Sequence, residues 1–360
     1  MEKKLRIGII GCGGIANGKH MPNLNKIPEV EMVAFCDLII EKAEQAKKDY
    51  GTPDAKVYKD YKELLKDETI DVVHVCTPNR SHSFITIDSL EAGKHVMCEK
   101  PMAKTSAEAK AMVEAAKRTG KKLTIGYQGR QLPEALYLKK ACEAGELGDI
   151  YFAKAHALRR RAVPTWGVFL NEEEQGGGPL IDIGTHALDL TLWTMNNYDV
   201  DYVVGTKYRK LADQTETANA WGDWDPNEFT VEDSAFGFIV MKNGATIVLE
   251  SAWALNILDA MESKCTLCGT KAGADMKDGL RINGVKYGKM YTEQPTLNGQ
   301  GVAFYDASGD DNGFTDQRQW IDALLNDTDP CVLPEQACVV TQILEAIYES
   351  SATGKPVYFK

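Results

Sequence analysis

The chain has 360 residues, 44% hydrophobic and 26% charged, with a formal net charge of −11. That length exceeds one typical core and predicts two domains. The acidic balance opposes nucleic acid and anionic membrane surfaces as partners, and the single basic run, 159–161, is too short to reverse it.

The first apolar run, "LRIGII", follows lysines but has only a strand's length and ends in glycines, so a strand rather than a targeting segment is expected. Nothing approaches the roughly 20 apolar residues of a membrane span. "LRIGII", "EMVAFCD", "VVHVC", "HVMCE" and "KLTIGY" then alternate with charged helical stretches such as "EKAEQAKKDYG" and "SAEAKAMVEAAKRTG". Both stretches end at a glycine suited to a helix C-terminus. This alternation predicts a doubly wound parallel sheet over residues 1–125.

From about residue 126 the pattern changes. "YFAKAHAL" and "SAFGFIVMKNGATIVLESAWAL" read as strands, the latter folded at Asn243-Gly244, and "GLRINGVKYG" repeats the signal at Asn283-Gly284. Helices are expected near 313–326 and 335–353. The fold class is therefore α/β: a Rossmann domain, then an α/β domain over 126–360 with a large, open, mostly antiparallel sheet. Such a sheet leaves an uncovered apolar face and predicts a homo-oligomer.

The nine cysteines form an odd, scattered set, which fits a reduced, cytoplasmic protein better than a disulfide framework. Cys265 and Cys268 make a lone C-x-x-C without a second ligand pair, so no metal site is expected.

Within "GIIGCGGIA", Gly11, Gly13 and Ala16 form G-x-G-x-x-A directly after the first strand, with Gly14 and Ile15 in the same turn. Such a turn lets a pyrophosphate approach the backbone and rest on a helix N-terminus. The second strand ends at Asp37, where an acid either bonds ribose hydroxyls or caps the next helix. In the first role its charge repels a 2′-phosphate, and Leu38 and Ile39 supply no cation, so NAD is favoured over NADP.

"GGGPLIDIGTHALDLTLW", residues 176–193, places Asp182, His186 and Asp189 on neighbouring turns of an otherwise apolar helix. Singly, each has an ordinary explanation: a cap, a satisfied core histidine, a salt bridge. The glycines offer a second anion site at a helix N-terminus.

Together with "CTPNRSH" at 76–82, "EKP" at 99–101, "IGYQGR" at 125–130 and the closing "IYESSATGKPV", these motifs resemble the glucose–fructose oxidoreductase / inositol dehydrogenase (Gfo/Idh/MocA) family over nearly the whole chain. The resemblance implies NAD-dependent oxidation of sugars, cyclitols or related alcohols. It implies that Thr77, Pro78, Asn79 and His82 lie along the cofactor, that Glu99 and Lys100 lie near the nicotinamide ribose, and that the Lys100–Pro101 bond is a candidate cis peptide. Trp166 is carried over to the cofactor side as well. It is followed by Gly167 where many relatives have arginine, leaving Arg159, Arg160 or Arg161 as the replacement cation, or none.

Alcohol oxidation needs a base of near-neutral pKa for the hydroxyl proton. The family pattern puts His186 in that role, with Lys100 stabilising the alkoxide and Asp182 binding neighbouring hydroxyls. Tyr127 and Gln128 are candidates for substrate or nicotinamide contacts, and His156 and Arg159 for the substrate pocket. The "RRRAVPTWGVF" and "GGGPLIDIGTH" block is similar to members that oxidise glucosides at C3. Two alternatives are a redox-neutral enzyme that retains NAD and a nucleotide-sensing regulator. Loss of Lys100 or His186 would mark the regulator, and both are present.

Overall fold

The computed structural model describes residues 4–297 and 312–360. Residues up to Gln128 and from 312 to Thr341 form one compact unit; those from Gly129 to 297 and from Gln342 to Lys360 form another. The expected boundary at 125/126 lies three residues before this division. Residues 312–341, expected in the second domain, cluster with the first, and residues 298–311 of that expected domain lie outside the described residues.

In the first unit, β1 (Leu5–Ile10), β2 (Val30–Cys36), β3 (Lys56–Tyr58), β4 (Val72–Val75), β5 (His95–Cys98) and β6 (Leu123–Ile125) build one sheet. All pairs are parallel, in the order β3-β2-β1-β4-β5-β6. Near-continuous Val/Ile runs suit strands covered on both faces. Strand order reverses between β1 and β4, and the carboxyl ends of that pair are where open α/β sheets bind ligands. The Ser106–Thr119 helix starts with a capping box between Thr105 and Glu108 and stops at Gly120, which takes φ 66°. Trp320 and Ile321, from the Asn312–Leu325 helix, complete a core with Ile7, Ile9, Phe35, Val72 and Met97.

The second unit carries β7 (Ile150–Leu158), β8 (Val200–Tyr208), β9 (Ser234–Met241), β10 (Thr246–Ala252), β11 (Glu262–Gly269), β12 (Ala272–Asp275), β13 (Arg281–Lys286), β14 (Lys289–Glu293) and β15 (Val357–Tyr358). Their order is β14-β13-β12-β11-β7-β10-β9-β8-β15, antiparallel except for the β7–β10 pair. The register gives each face its own row of residues. Gly205, Gly237, Leu249, Ala155 and Cys265 lie side by side on the face covered by helices. There Ile347 crowds both glycines, and Thr194 of the Thr185–Met195 helix meets Cys265 at 3.9 Å. The opposite face shows Val204, Phe238, Val248 and Lys154 in register, with Val204 and Phe238 exposed.

Asn243-Gly244 forms the expected hairpin, with Met241 and Ala245 paired across it. Asn283-Gly284 does not turn: both residues lie inside β13, and the chain reverses at Tyr287 and Gly288, whose φ values are 53° and 71°. Gly284 instead makes room for the Tyr291 ring on the paired strand. Cys265 and Cys268 occupy β11 three residues apart, so their side chains point to opposite faces.

Candidate active site

The first unit shapes a loop with room on one side. Gly11 takes φ +91°, and a Cβ there would lie 2.7 Å from the Cys76 carbonyl oxygen. No other residue type closes this turn without displacing the neighbouring strand end. Gly13 and Gly14 are the reverse case, since a Cβ on either would meet nothing within 4 Å. Asp37 holds the loop from β2: Oδ2 accepts from Cys12 N–H (2.9 Å) and Oδ1 from Ile39 N–H (2.9 Å). Asn17, which the sequence pattern did not single out, donates to the Cys12 and Gly13 carbonyls at 2.8 and 2.9 Å. A helix opens at Gly14 and runs through a π-type segment, Ala16–His20. Open space over glycines, a helix start and an acid at the next strand end fit a dinucleotide's pyrophosphate and ribose.

Behind the loop lies a buried polar cluster. Glu99 Oε1 accepts from Lys19 Nζ (3.0 Å) and His20 Nε2 (2.8 Å), while Oε2 accepts from the Lys100 backbone N–H (3.1 Å). Burial works to raise the Glu99 carboxyl, but Lys19 and His20 hold it well below the usual carboxylate range. Burial likewise opposes the Lys19 charge, and Glu99 and Asp316 outweigh it, Asp316 from 3.2 Å. His20 Nδ1 lies 2.9 Å from His74 Nδ1, so one buried ring hydrogen-bonds the other. Glu99 is therefore engaged inside the unit, where it holds the backbone of partly exposed Lys100, whose bond to Pro101 is cis. His82 is equally occupied. Its Nδ1 and Nε2 lie 2.8 Å from the Pro101 and Thr77 carbonyl oxygens, bracing the loops after β4 and β5. Burial pushes the His82 pKa down, and a neutral ring donates to one of the two. Thr77, Pro78 and Asn79 keep solvent access on the loop itself, Tyr127 is buried and Gln128 half-buried.

In the second unit the expected single helix has two parts, a π-type segment at Leu180–Gly184 and an α-helix over Thr185–Met195. From Leu180 to Thr194, Asp182 and His186 are the two residues left partly exposed; the rest are buried. Asp182 Oδ2 accepts from the indole N–H of fully buried Trp253 at 3.0 Å, which fixes its direction. Asp189 has a separate role. It takes a bidentate pair from fully buried Arg130 at 2.9 and 2.6 Å, so this ion pair lies inside the second unit rather than between domains. The anion position at the glycine run is filled by the protein itself. Glu232 accepts from Gly178 N–H (2.9 Å), Leu180 N–H (3.2 Å) and Tyr348 Oη–H (2.9 Å).

Arg159 and His156 leave β7 on opposite sides. Odd-numbered residues of that strand face the helices, as Ala155 does beside Cys265, whereas His156 lies across the sheet between Glu250 (3.2 Å) and Thr266 (3.0 Å). The structure therefore does not bring His156 to Asp182 and His186. Arg159 makes a bidentate pair with Glu262, 2.6 Å in each branch. Burial opposes its charge, while Glu262 and then Asp182 hold its pKa up. Trp166 joins Trp221 and Phe169 at ring distances of 5.0 and 5.9 Å. Sequence reasoning missed Trp221, Trp224, Phe229, Glu232 and Trp253. The aromatics of "AWGDWDPNEF", set in a polar stretch between two strands, were the available signal.

Residues 5–127 match the family model described as oxidoreductase family, NAD-binding Rossmann fold, and residues 139–359 match its C-terminal alpha/beta domain. The chain is 36% identical to the D-glucoside 3-dehydrogenase of Escherichia coli K12, over 98% of this chain and 97% of that protein. It is 32% identical to the glucose-6-phosphate 3-dehydrogenase of Bacillus subtilis, over 59% of each. Among solved structures, aldose-aldose oxidoreductase from Caulobacter crescentus, complexed with glycerol, superposes with a TM-score of 0.79 at 25% identity, over 99% of this chain and 100% of that one. Levoglucosan dehydrogenase in complex with NADH and levoglucosan shares the fold at a TM-score of 0.83 and 22% identity, over 99% of both chains.

Proposed function

The chain belongs to the Gfo/Idh/MocA oxidoreductase family and is an NAD-dependent enzyme; from that premise we propose that it oxidises a secondary hydroxyl, at C3, of a pyranose glycoside. The observation that carries this reading is the Asp182–His186 pair, two polar side chains left partly exposed among the buried residues from Leu180 to Thr194. In this reading His186 removes the hydroxyl proton and the Lys100 ammonium stabilises the developing alkoxide. Asp182, oriented by Trp253, accepts hydrogen bonds from adjacent hydroxyls. The loop from Gly11 to Ala16 and Asp37 hold NAD, which when bound supplies the hydride acceptor. Glu99 is assigned to holding Lys100, and His156 leaves the substrate pocket for the outer sheet face. The similarity to an aldose-aldose oxidoreductase supports a second reading, in which NAD stays bound through a redox-neutral cycle.

The exposed Val204 and Phe238 support a homo-oligomer assembled through the outer face of the second sheet. Nine free thiols support a reduced, cytoplasmic setting. Among the described residues no helix is long and apolar enough to cross a membrane. The net charge of −11 supports a small-molecule substrate rather than a polyanionic partner.

The test is absorbance at about 340 nm, the reduced-nicotinamide band, for purified protein offered glucosides with and without added NAD. A rise capped at one equivalent per subunit without added NAD indicates the retained-cofactor cycle, and continued turnover on adding NAD indicates the dehydrogenase. Absence of any rise over a broad glycoside panel overturns both. His186→Asn is expected to lower turnover about 10²- to 10⁴-fold with NAD affinity unchanged; near-native rates would refute the base.

A further inference from the structure

The second unit contains an aromatic strip of which the chemistry above uses only Trp253; the expectation that put Trp166 on the cofactor side gives way here to a different role. It starts at Asp182, whose carboxylate is held by Trp253. From Trp253 the rings step to Phe169 (6.4 Å), then Trp166 (5.9 Å), then Trp221 (5.0 Å), and the Arg159 guanidinium lies 5.3 Å from the Trp221 ring centre. Trp253 is fully buried, whereas Trp166 and Trp221 are 52% and 45% exposed. The strip thus joins Asp182 to two open indoles and to the Arg159–Glu262 ion pair.

Two exposed tryptophans on a slack loop would be unremarkable, but these are fixed. Thr165 Oγ–H donates to the Trp221 carbonyl at 2.7 Å. Asn219 accepts from Val163 N–H at 2.8 Å and donates back to its carbonyl at 2.9 Å, and Ala220 N–H reaches the Arg161 carbonyl at 3.1 Å. At the base of the 209–233 excursion, Asp233 Oδ2 accepts the N–H groups of Lys210, Leu211 and Ala212 at 2.5, 2.6 and 3.2 Å. Hydrogen bonds of this density fix the main chain that carries the indoles, which is preorganisation.

Resting on the reading above, we propose that Trp166 and Trp221 form the subsite for a glycoside's aglycone, and that the substrate class is a glucoside whose second group is itself a ring. Indole surfaces match the apolar C–H or aromatic face of such a ring, while Arg159 and Glu262 provide donors and acceptors for its edge. Asp182, Trp253, Phe169, Trp166 and Trp221 form one connected series of contacts, and Arg159 beside Trp221 also feels the Asp182 charge, so a ring bound at Asp182 has this aromatic surface beside it.

The experiment compares phenyl glucosides with methyl glucosides, in both anomers, on the full chain with NAD. Phenyl glucosides are expected to show the lower KM. Trp221→Ala is expected to raise KM for phenyl glucosides about five- to tenfold, with kcat and the methyl glucoside KM within about twofold of native. Trp221→Phe should restore most of the difference. An equal change for both substrates, or no change, overturns the subsite. If the native protein turns over neither glucoside, the failure lies with the oxidation reading, and tryptophan fluorescence titrated with phenyl glucoside decides the subsite alone. Quenching that is weakened in Trp221→Ala supports it, and absence of saturable quenching refutes it.

Discussion

Each unit begins a helix with clustered glycines, and the two clusters have opposite surroundings. At Gly13 and Gly14 an added Cβ would meet nothing within 4 Å. At Gly177 and Gly178 it would collide with the Tyr348 hydroxyl and the Glu232 carbonyl oxygen. Both helix starts carry partial positive charge. The first has open space above its glycines, and the second is met by the Glu232 carboxyl group. A glycine-rich helix start is therefore a phosphate site only where the protein supplies no anion of its own. Both helices also open with a π-type segment, Ala16–His20 and Leu180–Gly184; such turns recur at functional sites.

The comparison is broken most severely by filling the closed cluster. Gly178→Ala forces a methyl group into a backbone oxygen that cannot rotate away, at an expected cost of about 3 kcal/mol or more. Thermal unfolding should show a Tm lower by about 6 °C or more. An unchanged Tm would mean that the Glu232 segment yields easily and that the cluster is not closed. Gly13→Ala is the complementary variant. Its Cβ has free space in the protein, so stability should hold or rise by about 0.4–1 kcal/mol through the unfolded state. NAD should bind about tenfold or more weakly, read by titration against the reduced-cofactor fluorescence. Unaltered NAD affinity would show that the pyrophosphate does not sit over Gly13.

The open cluster was legible in the sequence because its meaning is local. G-x-G-x-x-A, the strand before it and Asp37 lie within 33 residues of one another (Leu5 to Asp37), and one βαβ unit brings them together. The closed cluster was not, because its partners Glu232 and Tyr348 are 54 and 170 positions from Gly178, and no spacing rule joins them. The same distance effect hid Trp253 behind Asp182 and the Lys19–His20 grip on Glu99. Strand assignment failed for related reasons. β3 has three residues and sits at a sheet edge, below any periodicity signal. At Asn283-Gly284 a strong turn signal lost to cross-strand packing on Tyr291. Asp182 and His186 were found by spacing, but their exposure amid buried neighbours emerges only from the folded helix.

The smallest effect tests whether the plug acts as a carboxyl group. Burial raises the Glu232 pKa above its ordinary value, and the hydrogen bonds from Gly178, Tyr348 and Leu180 only partly oppose that rise. The native state therefore holds this proton to higher pH than the unfolded chain does. Between the two pKa values the folded form binds more protons, so this group's contribution to stability falls as pH rises. The contribution is complete below the unfolded pKa and lost once pH has passed the folded one. Glu232→Gln removes the slope and replaces it with a constant offset, because an amide cannot accept from both Gly178 and Leu180. The Tm difference between native protein and Glu232→Gln should therefore shrink as pH rises through the mildly acidic range, the other buried acids being common to both. A difference that grows with pH would mean the helix N-terminus and its N–H groups hold Glu232 ionised more strongly than burial opposes it.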